Sequence, residues 1–164
     1  QWIPHLWRSA SDALEGIMDG AGALIGRYGV LSVDSAGIRL PNNLHIKYPN
    51  LRRQATKDGK TEIVYDTRRG RSVIANRIYG GKVIENVCQA LARIVIGEQL
   101  LGIAKKYKVV MTVHDAIACI VPNEEVEEAK KFVEKVMKPA LLGHKNYPSI
   151  VRLLMEKPMG VVNE

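Results

Sequence analysis

Two periodicities organise this chain. From Trp2 to Met18 the apolar positions Ile3, Leu6, Trp7, Ala10, Leu14 and Ile17 keep near-helical spacing with polar and small residues between them, which predicts a surface helix. Gly20, Gly22, Gly26 and Gly29 then break the pattern, and GVLSVDSAGIRLP reads as two short strands around Asp34, Ser35 and Gly37. A second strand pair is expected from LHIKY, residues 44–48, and TEIVYD, residues 61–66, joined by a basic loop containing Asp58 and Gly59. The longest helical segment follows, over residues 82–106. It is apolar at Val83, Ile84, Val87, Cys88, Leu91, Ala92, Ile94, Val95, Ile96, Leu100, Leu101 and Ile103, and a helix apolar on most sides is a buried one. VVMTVHDAIACIVP, residues 109–122, is two apolar runs too short for helices, so it reads as two buried strands with His114 and Asp115 at the tip of a hairpin. NEEVEEAKKFVEKVMKPA predicts a helix with Asn123 as N-cap, acids in its first turn, lysines later and Pro139 at its end. A last short helix is expected between residues 146 and 155, and residues 160–164 are expected to fray.

Length and composition add little to the fold. The 164 residues, 46% of them apolar, suffice for a single α+β domain with its own core. No apolar run approaches the ~20 residues of a membrane span, and QWIPHLWRSASD lacks the layout of a signal peptide, so a cytoplasmic protein is expected. Cys88 and Cys119 sit among apolar neighbours, as buried reduced thiols do, and no zinc spacing exists. An opening on Gln1 rather than Met is what a piece of a longer polypeptide shows, and a processed N-terminus looks the same.

Charge changes the picture more. The net charge is +7, and residues 51–82 hold nine basic residues (Arg52, Arg53, Lys57, Lys60, Arg68, Arg69, Arg71, Arg77, Lys82) against three acids (Asp58, Glu62, Asp66). A basic surface so concentrated attracts polyanions, of which nucleic acid is the commonest; ordinary solvated lysines and arginines are the plainer explanation. On the long helix, Lys82, Asn86, Gln89 and Arg93 follow steps of four, three and four. At helical pitch they fall within an arc of about 60° and run about 16 Å along the axis. A solvated face tolerates any polar residue, but two amides between two cations also suit contacts to base edges and phosphates. At the hairpin tip, Asp115 is either a turn-forming residue or a carboxylate offered to a metal.

Taken together, RIYGGKVIENVCQALAR, residues 77–93, and VMTVHDAIACIVP about twenty residues later resemble the C-terminal half of the polymerase domain of phage-type family A DNA polymerases, and GIRLPNNLHIKYPNLR resembles the segment preceding these motifs. The resemblance is strongest in the long helix and the hairpin and poor after Pro139. It implies a palm-type antiparallel sheet packed against a long buried helix, with additional surface helices. It also implies that Asp115 is one of two aspartates holding catalytic Mg2+ ions, that His114 lies near the primer terminus, and that Gln89 touches the duplex minor groove beside the growing end. Asn86, Arg93, Lys82 and Arg77 match positions facing the duplex. The implied partners are primer-template DNA and deoxynucleoside triphosphates, with no membrane, in DNA replication in a host cytoplasm. The helix would pack beside the hairpin with Gln89 turned to the cleft of Asp115.

Three departures bear on this. Ala116 stands where the family most often has Glu, no strand motif supplies the first catalytic Asp, and no RxxxKxxxxxxYG motif supplies the fingers helix. The resemblance therefore implies a C-terminal fragment or one half of a split polymerase, inactive alone and completed by an N-terminal portion in cis or in trans. A non-catalytic nucleic-acid-binding module that keeps the palm fold is the alternative. A His-Asp phosphohydrolase is disfavoured, because His5, His45 and His144 lie outside any ligand motif.

Overall fold

The computed structural model describes residues 2–25 and 31–137; the short helix expected at 146–155, the helix end at Pro139 and the fraying of 160–164 lie outside them. The architecture is α+β, with antiparallel sheets and, among the described residues, three α-helices; the chain divides into two compact units at Ala90/Leu91.

In the first unit, α1 (Trp2–Asp19) turns Ala10, Ala13 and Leu14 into the core. It packs on β1 (Ala23–Ile25) and β2 (Leu31–Asp34), which continue through β3 (Gly37–Arg39) to β4 (His45–Ile46) in an antiparallel sheet of sequential order. The turn between β2 and β3 is closed by Asp34, whose Oδ1 accepts a hydrogen bond from the Ala36 amide at 2.8 Å and whose Oδ2 meets His45 Nε2 at 2.9 Å.

The next sheet corrects the expected pairing of 44–48 with 61–66. Residues 45–46 pair with β3. The partner of β6 (Thr61–Arg69) on one side is β5 (Arg52–Ala55), drawn from the stretch expected to be a loop, and on the other β7 (Ser72–Ile78), which lacks a clear strand signal. The reason is local. Thr56 and Lys60 close a tight turn through Thr56 N to Lys60 O at 2.7 Å, so RRQA folds back at once onto TEIV. Strand β7 groups Val73, Ile74 and Ala75 together instead of alternating apolar with polar residues, and of its residues only Ile78 is buried, so period-two alternation is faint there.

Helix α2 (Gly80–Ala104) begins two residues before the predicted start. By length and composition it would suffice to cross a membrane; in this fold its Val83, Val87, Leu91, Ile94, Val95, Ile96 and Ile103 are buried.

In the second unit, β8 (Lys108–Val113) and β9 (Ala116–Ile120) form the expected hairpin, and α3 (Val126–Met137) follows. Asn123 is not an N-cap. It opens a 3-10 turn over Asn123–Glu125 that is itself preceded by Pro122 and has no side-chain cap. The acids Glu127 and Glu128 then occupy the first turn of α3, where they suit the helix dipole. Ile103, Tyr107 and Ala129 are the buried centre of this unit, wrapped by Val109, Ile117, Cys119 and Val121 from the hairpin side and Phe132, Val133, Val136 and Met137 from α3. The end of the long helix thus does pack beside the hairpin. Buried Gln99 ties α2 to the end of α3, its Nε2 donating to the Met137 carbonyl at 2.9 Å. Both cysteines are free thiols, half-buried rather than buried; desolvation pushes the Cys88 thiol up.

Candidate functional site

Val113 pairs directly with Ala116, so His114 and Asp115 are the two residues of the hairpin turn. A two-residue turn needs at least one residue at positive φ. His114 supplies it at φ 53°, in the left-handed region that His, Asn and Asp tolerate better than other non-glycine residues. The polar pair is therefore where the backbone demands it. Both side chains are exposed, and the Asp115 carboxylate has no hydrogen-bond or ion-pair partner among the described residues. Its oxygens are free to accept a hard cation.

The strands carrying the tip are not buried on both faces, which corrects the sequence expectation. Val109, Ile117 and Cys119 face the core of the second unit, while Met111 and Ile120 on the other face are 57% and 59% exposed, with Val113 beside them. A continuous apolar run reads as buried on two sides, but this ribbon has two strands and one covered face. A β-bulge between Val109 and Met111 lets Val110 stand out of register. No group of three His, Cys, Asp or Glu side chains is placed to hold a metal among the described residues. Asp115 alone offers a single exposed carboxylate on a short turn, with the oxygen donors that Mg2+ accepts.

In the first unit the polar stripe on α2 is organised by a residue that the stripe omits. Glu85 accepts from Lys82 Nζ at 2.9 and 2.8 Å and from Gln89 Nε2 at 3.3 Å. Its carboxylate raises the Lys82 pKa, chiefly through the hydrogen bond. Lys82 is thus an ion pair rather than a free cation. The signal was present, since Glu85 stands three residues after Lys82 and four before Gln89, the separations at which helical side chains meet.

Asn86 is half-buried and donates through Nδ2 to the Tyr48 hydroxyl at 3.2 Å. Tyr48 itself is buried, which raises its phenol pKa, and it packs edge-on to Tyr65 with ring centroids 5.2 Å apart. Asn86 therefore has one end committed to the core, a partnership 38 residues away that no local pattern announces. Arg77, on β7, meets Glu62 Oε1 at 3.2 Å and lies 5.7 Å over the ring of Tyr79. Gln89 is exposed, with only the long contact to Glu85. Arg93 belongs to the second unit, where it is exposed and unpaired among the described residues.

Several of the basic residues of segment 51–82 are likewise paired. Arg52 donates to Asp66 Oδ1 at 2.8 Å, and Arg53 is bridged to Glu15 of α1. Asp66 also accepts from Asn50 Nδ2 at 2.8 Å, and that hydrogen bond, with the one from Arg52, holds its carboxyl below the ordinary range.

No family model, curated protein or solved structure matches this chain.

Proposed function

We propose that the chain is the C-terminal palm portion of a family A DNA-directed DNA polymerase, contributing a metal-binding aspartate and duplex contacts to template-directed nucleotidyl transfer. The observation that carries this reading is the two-residue turn placing an unpartnered Asp115 beside His114 at the tip of a hairpin. The resemblance of residues 77–93 and 110–122 to that family supports it.

Asp115 would hold Mg2+ together with a second aspartate from the complementary N-terminal portion and phosphate oxygens of the incoming nucleotide. When bound, such a pair of ions activates the primer hydroxyl and neutralises the departing pyrophosphate. The chain's own residues position the reactants. Gln89, with its amide exposed, tests the geometry of the terminal pair in the minor groove, where acceptors occupy similar places in every base pair. His114 lies next to the metal ligand, beside the primer end. Lys82, Arg77 and Arg93 face the phosphates, the first two by exchanging an internal acid for a phosphate oxygen.

The 164-residue chain is expected to bind primer-template duplex weakly, without sequence preference and with affinity that falls steeply as salt rises. Gln89→Ala, read by fluorescence anisotropy, should weaken binding more for a matched primer end than for plain duplex. Equal losses on the two, or binding indifferent to salt, would count against the assignment. Ala116, at the position of the usual Glu, favours a second reading: a binding module that keeps the palm fold without catalysis. The two differ in whether Asp115 is needed for chemistry.

A further inference from the structure

The hairpin of β6 and β7 outruns its sheet. Strand β5 pairs with β6 only as far as Val64, and the last backbone hydrogen bond on that side runs from Asp66 N to the Pro49 carbonyl at 2.8 Å. Beyond the Asp66↔Ala75 pair the ladder continues through Thr67↔Ile74, Arg68↔Val73 and Arg69↔Ser72, a two-stranded ribbon whose outer edges have no strand beside them. At about 3.3 Å per residue, three pairs carry it about 10 Å past its neighbours. It turns at Gly70, φ +63°, and Arg71, a glycine-first two-residue turn of the kind that matches strand twist.

Charge is distributed along this sheet in an uneven way. In its body each arginine has an acid: Arg52 has Asp66, Arg53 has Glu15, Arg77 has Glu62. At the arm's end Arg68, Arg69 and Arg71 are all exposed, and none has a hydrogen-bond or ion-pair partner among the described residues. Arg68 and Arg69, as neighbours on a strand, leave on opposite faces, so with Arg71 the guanidinium groups fan around the tip. An isolated two-stranded ribbon is marginal in water, and three unneutralised cations within four residues make it more so. Both costs fall when the arm meets a polyanion.

We infer that the Arg68–Arg71 arm is a phosphate clamp, a second nucleic-acid contact that engages the backbone of duplex DNA and is carried by a different unit from the Asp115 tip. A two-stranded ribbon is of a size to lie in or across a duplex groove, and guanidinium forks match phosphate oxygens. Contacts from such guanidinium groups to phosphate fix the position of a duplex and carry no sequence information. The inference rests on the nucleic-acid reading above and adds to it where much of the binding energy and salt dependence originates.

The test is the salt slope of the 164-residue chain on a labelled duplex of random sequence, measured by anisotropy from low to moderate NaCl. Each phosphate contact contributes a slope of about 0.9 in log K against log salt, so R68Q/R69Q/R71Q should flatten the slope by about 2.7, with an unchanged circular dichroism spectrum. R68K/R69K/R71K should keep the wild-type slope. Lys105, Lys130 and Lys131, equally exposed and unpaired but elsewhere, serve as the charge-matched control, and K105Q/K130Q/K131Q should flatten it far less. If the wild-type chain shows no salt-dependent duplex binding, the nucleic-acid reading itself fails. If wild type binds but the arm variant keeps the wild-type slope, or the two glutamine triples flatten it equally, the clamp alone is overturned.

Discussion

Asp115→Ala, introduced into the chain rejoined to a complementary polymerase portion carrying the first aspartate and the fingers, is expected to cut primer extension by on the order of 1000-fold while leaving duplex affinity nearly unchanged. Metal stabilisation of the transferring phosphoryl group is worth several kcal/mol, and each 1.36 kcal/mol is tenfold in rate. The usual objection to such a variant is that it unfolds. Here it does not apply: Asp115 is exposed and unpartnered, so its loss orphans no buried group and changes stability within about 0.5 kcal/mol. The turn keeps its shape because His114, not Asp115, carries the positive φ. Ala116→Glu, which restores the acid usual at that place, should raise the rate or leave it unchanged. Full activity in the Asp115→Ala enzyme would assign the chemistry elsewhere and favour the binding-module reading.

The second large effect is on stability, at the two glycines that open α2. Glycine to alanine inside a helix ordinarily gains up to about 1 kcal/mol in propensity. At Gly80 that gain meets a wall, because a Cβ there would lie 2.3 Å from the Trp7 carbonyl oxygen and 2.6 Å from Ser11 Oγ, both on α1. The first contact is backbone and cannot swing aside; α1 and the start of α2 must part. Gly80→Ala should therefore destabilise the first unit by about 1–3 kcal/mol, the usual range for overpacking. At Gly81 the nearest atom is Cε2 of the half-exposed Tyr79 ring, 3.1 Å away, and the ring has room to move. Gly81→Ala should be close to neutral. Denaturant melts of the two variants side by side decide it: equal midpoints would mean that the helices do not meet through Gly80.

How far the residues announced this arrangement differs from element to element. Helix α1 is legible because its apolar positions keep helical spacing, the long helix because it is apolar on most sides with polar residues at helical steps, and the hairpin because two Val- and Ile-rich runs flank a polar dipeptide. What the hairpin's sequence does not encode is how many strands lie beside it. An apolar run is the same whether it is covered on two faces or one, so Met111 and Ile120 read as buried and stand exposed. Strands β5 and β7 are not legible in the same way: β5 is RRQA with no apolar run, and in β7 Val73, Ile74 and Ala75 stand together instead of alternating with polar residues, so both pairings depend on the turns at Thr56–Lys60 and Gly70–Arg71. In the candidate site, position along the chain gave the Asp115 turn and the α2 stripe. Partners did not follow. Tyr48 reaches Asn86 across 38 residues, and Arg77 finds Glu62 across the β6–β7 ladder. Glu85 lies within the helix itself, at readable spacing, and a polar stripe taken without the acid on its flank overstates its free charge.

Primer extension tests most directly whether this chain is part of a nucleotide-adding enzyme. The chain, expressed together with the polymerase portion that supplies the first aspartate and fingers, is mixed with a labelled primer-template, Mg2+ and the four deoxynucleoside triphosphates. The expected result is template-directed lengthening of the primer that requires the divalent ion and both polypeptides, and that neither gives alone. If the two polypeptides associate and bind the primer-template, yet add no nucleotide in Mg2+ or Mn2+, the polymerase reading is contradicted.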